Sequence, residues 1–281
     1  MGYNNAADSY PLKSERSIMK RKTVFLSLSL AVLAVVATAC ATAEQKLAAK
    51  REKDPQYQYE KAVICMNAGL TDAAIPYLRQ ALALDPRHHP SLNLLGLAHM
   101  IKGQVDSAVA VLKQCVEIAP SFSDGRNNLA TALLENGNTE GAEEEYKKAY
   151  ALDGNFNASF NLAKIEFQRN KPQEALEYVQ SSLRKNNRSL LALNLRGLIE
   201  EALGRPDEAI ASYEAALKIV PEELNVEYNL AVAHYKKGNT DKARTLLQKI
   251  QKKLRQRTPP LAGDAELKGR VEELLKLLDG R

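Results

Sequence analysis

The stretch "GQVDSAVAVLKQCVEIAP", residues 103–120, decides the fold, because it returns along the chain at a nearly fixed interval. Before it comes "GLTDAAIPYLRQALALDP" (69–86). After it come "GNTEGAEEEYKKAYALDG" (137–154), "NKPQEALEYVQSSLRKNN" (170–187), "GRPDEAIASYEAALKIVP" (204–221) and "GNTDKARTLLQKI" (238–250). The six copies share an alanine, at Ala74, Ala108, Ala142, Ala175, Ala209 and Ala243, with successive spacings of 34, 34, 33, 34 and 34 residues. A period of that length is the mark of stacked supersecondary units, none of which hides its apolar faces alone. The residue opening each copy is Gly69, Gly103, Gly137, Asn170, Gly204 or Gly238. Glycine and asparagine most readily take the left-handed backbone that closes a helix. Pro86, Pro120 and Pro221 close three of the units.

Upstream of each copy runs a second helical pattern, with a small residue where neighbouring helices must approach: Ala62, Gly96, Ala130, Ala163, Gly197 and Ala231. One turn beyond each central alanine stands a large one: Leu78, Leu112, Tyr146, Val179, Tyr213 and Leu247. Small against large predicts interdigitation, and a bulky side chain at a small site costs about 1–3 kcal/mol by overpacking. This pattern resembles the tetratricopeptide repeat family over about residues 55 to 252. The resemblance implies an all-α fold, a right-handed α-solenoid of six helix-turn-helix repeats across residues 55–257. A linker and capping helix follow over residues 258–281. Pro259 and Pro260 stop the basic end of the sixth unit, Gly263 turns the chain, and a last helix runs from Asp264, an expected N-cap, to Leu278. Its stripe of Leu267, Val271, Leu274, Leu275 and Leu278 suits covering the open end of the array.

Composition agrees with helices and removes several functions. Aromatic residues make up 6% of the 281 positions, and there is no Trp. The net charge of +5 shrinks beyond residue 39, because five basic and two acidic residues lie before Cys40, leaving 34 basic against 32 acidic. No nucleic-acid footprint is expected from that balance. Cys40, Cys65 and Cys115 form neither a disulfide framework nor a metal-ligand spacing, and Cys65 and Cys115 read as small core residues. His88-His89 has no companion ligands, and His99 and His234 lie without a nucleophile in a recognised spacing. Each glycine of a would-be phosphate loop is a repeat turn. No catalytic residue, metal, cofactor or small-molecule substrate is therefore expected. The cluster Lys249, Lys252, Lys253, Arg255 and Arg257 reads as cations solvated at a helix carboxyl end.

The amino terminus carries an address. From Met19 the chain reads "MKRKTVFLSLSLAVLAVVATAC": a basic trio, about sixteen mostly apolar residues, then small ones, the layout of a secretory signal over residues 19–39. A membrane span needs about 20 apolar residues, and this run is shorter and holds Ser27, Ser29 and Thr38. Residues 1–18 are polar and patternless, and are expected to be an untranslated or unstructured extension. Ala37-Thr38-Ala39-Cys40 resembles a bacterial lipobox, with Ala37 where leucine is usual. That resemblance implies lipidation of Cys40, anchoring through amino-terminal acyl chains, and, with Ala41 following, an outer-membrane destination on the periplasmic face. Ala37-Thr38-Ala39 also fits an ordinary signal-peptidase site, as does Ala41-Thr42-Ala43, which would leave a soluble periplasmic protein. Residues 40–54 read as a tether.

The family resemblance also implies a working surface: first helices line a concave groove at the second, fifth, sixth, ninth, twelfth and thirteenth positions of each unit. Units one and two place Tyr59, Val63, Met66, Leu94, Leu97, Met100 and Ile101 there. Units four to six place Phe160, Phe167, Leu195, Leu198, Tyr228 and Tyr235. A contiguous apolar line suits an extended segment or helix of a partner protein. Asparagines recur beside it at Asn93, Asn127, Asn128, Asn161, Asn194 and Asn229, amides able to hold a peptide backbone whatever its side chains. Lys164 and Lys236 stand isolated, with no basic clamp for a terminal carboxylate. A lipobox, a short tether and six repeats together resemble the type IV pilus biogenesis and stability lipoproteins, the pilotins that escort an outer-membrane secretin. The resemblance implies a non-enzymatic adaptor capturing a secretin subunit in the early repeats. A general periplasmic scaffold, or an accessory subunit of an envelope hydrolase or protease, are the other readings.

Overall fold

The computed structural model describes residue 48 and residues 50–280. Cys40, the signal segment and most of the tether lie outside the described residues. Six helical hairpins follow one another: α1 (Pro55–Asn67) with α2 (Thr71–Leu84), α3 (His89–Ile101) with α4 (Val105–Ile118), and α5 (Ser123–Glu135) with α6 (Thr139–Asp153). Next come α7 (Phe156–Gln168) with α8 (Pro172–Lys185), α9 (Leu190–Ala202) with α10 (Pro206–Ile219), and α11 (Leu224–Lys236) with α12 (Thr240–Gln256). A single helix, α13 (Asp264–Leu278), ends the array. The fold is the right-handed α-solenoid of six repeats that the family resemblance implies, closed by the capping helix expected from the Leu267–Leu278 stripe.

The turns inside the hairpins form as the opening residues require. Gly69, Gly103, Gly137, Gly204 and Gly238 have φ between +68° and +85°, and Asn170 has φ +59°. In every hairpin the amide after that residue donates to a carbonyl five residues back, as in Leu70 to Cys65 and Gln104 to His99, both 2.9 Å. Those bonds satisfy carbonyls that the end of the first helix would leave bare.

Packing inside each hairpin sets small against large. A methyl added at Gly96 would lie 2.4 Å from Leu112 Cγ, and one at Gly197 would lie 2.4 Å from Tyr213 Cε1. The large residue thus seats on the small residue of its own hairpin, rather than filling only the space between units. All twelve of these small and large residues are buried. Neighbouring units are further tied by ion pairs: Lys102 with Asp72 and Lys237 with Asp207 in the same register, and Arg169 with Glu143, three residues deeper into its helix, at 2.6 Å. In each, the cation sits at the turn of one unit and the carboxylate near the start of the preceding second helix.

At the far end, Leu267, Val271 and Leu274 of α13 pack with Leu224, Ala231, Leu247 and Ile250. The N-cap is Gly263, at φ +88°, and not Asp264. Asp264 instead staples the linker: its carboxylate accepts from the Leu261 amide at 2.8 Å and pairs with Arg257 at 2.8 Å. The basic cluster is largely paired rather than solvated. Lys249 and Lys253 both reach the buried Glu227 carboxylate, at 2.8 and 3.2 Å.

One junction departs from the others. Four residues separate the second helix of one unit from the next first helix at 85–88, 119–122, 186–189 and 220–223. Between α6 and α7 only Gly154 and Asn155 remain, with Gly154 at φ +67°, and this connector, two residues shorter after an α6 one residue longer than α2, α4, α8 and α10, gives the single 33-residue spacing.

Candidate functional site

First helices approach one another across units, α1 to α3, α3 to α5, α7 to α9 and α9 to α11. They therefore form the inner side of the curve. Along α1 and α3, Tyr59, Val63, Met66, Asn93, Leu94, Leu97 and Met100 are half-buried and Ile101 is 65% exposed. Tyr59, Met66 and Leu94 also lean on the buried cluster of the first two units, so part of this strip is packing. Farther along, Asn128, Phe160, Asn161, Phe167, Asn194, Leu198, Tyr228 and Asn229 are half-buried, and Tyr235 is exposed.

Several expectations need correction. Leu195 is a core residue, part of the cluster beneath units four to six, although the sixth residues of the other first helices stay on the groove side. Asn127 is buried, at 5% exposure. Tyr228 is half-buried, with the Arg270 guanidinium of α13 4.3 Å from its ring centroid. Two residues that share the groove register were missed. Leu191, second in α9, is 65% exposed, and Leu134, twelfth in α5, is also exposed. The position rule alone would have found them.

The asparagines do not stand as separate hooks. Asn128 Nδ2 donates to Asn93 Oδ1 at 2.8 Å, joining α5 to α3, and Asn229 Nδ2 donates to Asn194 Oδ1 at 2.9 Å, joining α11 to α9. In both, the sixth position of one unit donates to the fifth of the unit before. Asn127 and Asn161 occupy those two positions at the α5–α7 junction and form no such pair. Asn127 Nδ2 donates to Asn128 at 3.2 Å, while its Oδ1 is buried without a partner among the described residues. Beside it lies a concavity of ≈ 360 Å³, lined by Asn127, Asn128, Thr131, Phe160, Asn161 and Leu191, among others.

Cys65 and Cys115 are free thiols, and burial pushes the Cys115 thiol up to about 11, far from a reactive thiolate. Among the described residues, no group of three His, Cys, Asp or Glu side chains is arranged to hold a metal, and no helix is long and apolar enough to cross a membrane.

Two family models, both described as tetratricopeptide repeat, match the chain. One covers residues 99–149 and 201–263, the other residues 36–88, 59–123, 127–189 and 160–223. The chain is 33% identical over 95 residues to the uncharacterized protein y4yS of Sinorhizobium fredii (strain NBRC 101917 / NGR234), a match covering 34% of this chain and 52% of that protein. Among solved structures, it is similar to the APC/C hetero-tetramer Cut9-Hcn1, with 17% identity and a TM-score of 0.64 over 78% of this chain and 43% of that one. It is also similar to PilW, a type IV pilus biogenesis factor, with 16% identity and a TM-score of 0.62 over 70% of this chain and 92% of that one. The chain thus spans about half the length of y4yS and less than half of the Cut9-Hcn1 chain.

Proposed function

The chain belongs to the tetratricopeptide repeat family, a protein-interaction adaptor, and on that premise we propose that it is a lipid-anchored pilotin for a type IV pilus secretin. In this reading Cys40 carries the acyl chains, which hold the protein on the periplasmic face of the outer membrane. Several chains at about 0.8 kcal/mol per buried CH₂ make such anchoring durable. The concave side captures a secretin subunit, and binding rather than bond chemistry is the activity. The observation that carries the proposal is the apolar strip on α1 and α3, above all Leu97 and Ile101, which the fold does not need for its core. The lipobox-like Ala37-Thr38-Ala39-Cys40 and the likeness in fold to PilW support it.

Co-purification from envelope membranes tests the reading. Wild-type chain should recover the secretin, and Leu97→Glu with Ile101→Glu should lose it at unchanged helicity. Monomeric secretin that assembles normally in a deletion strain would end the proposal, and recovery of an envelope enzyme instead would favour the scaffold reading. Palmitate labelling should mark the wild type and vanish in Cys40→Ala; labelling of neither would favour cleavage at Ala37-Thr38-Ala39.

A further inference from the structure

We infer that the seam between α8 and α9 holds a binding site for a small amphiphilic anion, a carboxylate or phosphate carried on a short aliphatic body. The inference is independent of the groove and of the apolar strip on α1 and α3.

The seventh residue of a first helix is leucine in four of the six units, Leu95, Leu129, Leu162 and Leu230, and all four are buried. Unit one has Lys61, at the end of the array, whereas unit five places Arg196 inside it. A charge in a position that the fold fills with leucine adds desolvation cost without adding packing. Two buried side chains hold it there. Arg196 Nε donates to Ser212 Oγ at 2.8 Å, Ser212 Oγ donates to Glu200 Oε2, and Glu200 Oε1 lies 3.5 Å from the same Nε. Ser212 is fully buried and Glu200 is 8% exposed. The guanidinium is thereby fixed along its Nε edge. Its two Nη groups have no hydrogen-bond partner among the described residues, and the side chain remains 28% exposed.

Arg196 lines a concavity of ≈ 450 Å³ between units four and five, within the roughly 300–1,000 Å³ of small-molecule sites. The other lining residues are Gln180, Leu183 and Arg184 of α8, Asn187 of the connector and Leu193 of α9. Two arginines, two amides and no carboxylate therefore meet there. Arg184 is exposed and forms no ion pair among the described residues, and Lys185 and Arg188 flank it in sequence. Glu200 offsets one positive charge from behind, and Arg184 supplies another. Forked guanidiniums match an oxyanion, which accepts paired N–H bonds in one plane. Leu183 and Leu193 make the floor apolar, so the rest of the ligand is aliphatic.

Octanoate and octyl phosphate are the probes, titrated at millimolar concentration into the ¹⁵N-labelled full chain beside octyltrimethylammonium and acetate. Both octyl anions should shift the Arg196 Nε–H signal and the backbone amides of Arg184 and Leu193, while those of Leu97 and Ile101 stay in place. Tighter octanoate assigns the ligand to carboxylates and tighter octyl phosphate to phosphate esters, and either supports the site. Octyltrimethylammonium, lacking the charge, and acetate, lacking the chain, should each bind at least about tenfold more weakly. Arg184→Ser, at an exposed position, should weaken binding about tenfold. Arg196→Leu with Glu200→Leu removes both charges together and restores the leucines that unit three carries as Leu129 and Leu133. That double variant should lose the shifts at a melting temperature equal to or above wild type. Equal binding of the cationic probe, wild-type affinity in Arg184→Ser, or wild-type affinity in the folded double variant overturns the inference. Should the double variant unfold, Arg184→Ser and the comparison of probes decide alone.

Discussion

At Gly96 two forces oppose each other, and their sizes decide the residue. Helix propensity alone favours alanine over glycine by about 1 kcal/mol. The added methyl would sit 2.4 Å from Leu112 Cγ, and overpacking of that kind costs about 1–3 kcal/mol. Gly96→Ala is therefore expected to destabilise by about 1–3 kcal/mol in urea titration, with Leu112→Ala in the same chain recovering part of that loss. Glu143 supplies a pH signature. Hydrogen bonds from Arg169 and Lys147 hold its carboxyl at about 2, well below its ordinary value of 4.5. A depressed carboxyl contributes fully above its ordinary range, and the contribution fades as pH falls through the folded value. Melting temperatures of wild type and Glu143→Gln should differ at pH 7, with the wild type higher, and should converge as pH falls from 4.5 toward 2. Residue identity made the small and large positions legible in the sequence, because volume is a property of one side chain. The amide pairing was not, because which asparagine meets which depends on how closely two helices come. Burial of Leu195 escaped for a similar reason, since its position faces the groove in some units and the core in this one.

At the scale of elements, the turn residues and the capping helix carry separable costs. A methyl at Gly204 would meet nothing within 4 Å, yet φ is +70°, so Gly204→Ala isolates backbone strain and should cost about 1–2 kcal/mol by denaturant titration. The turns were fully readable, since one residue type in one place determines them. Helix α13 was readable as a stripe, while its start was not: Asp264 looks like a cap in sequence, but the chain uses it to hold Leu261 and Arg257. Because α13 covers Leu247 and Ile250, Leu267→Ala should destabilise by about 2–5 kcal/mol. Hydrogen exchange should report where. Units interact chiefly with neighbours, so α11 to α13 should lose protection while α1 to α4 keep theirs. A uniform loss along the chain would show coupling longer than the fold implies.

On the scale of the whole molecule, the period of 34 residues dictates a curved rod, and the same arithmetic flags its exception, the 33-residue interval ending at Ala175. Sequence marks where the interval shortens but not how the chain accommodates it, because α6 gains one residue while the connector after it loses two. Two of the five seams between units carry an asparagine pair, α3–α5 and α9–α11; the seam between the third and fourth units is held instead by Arg169 on Glu143 at 2.6 Å and Asn155 on Asp124 at 2.8 Å. A short splice of that kind, two residues long and tied on both sides, transmits strain between the first three units and the last three instead of absorbing it.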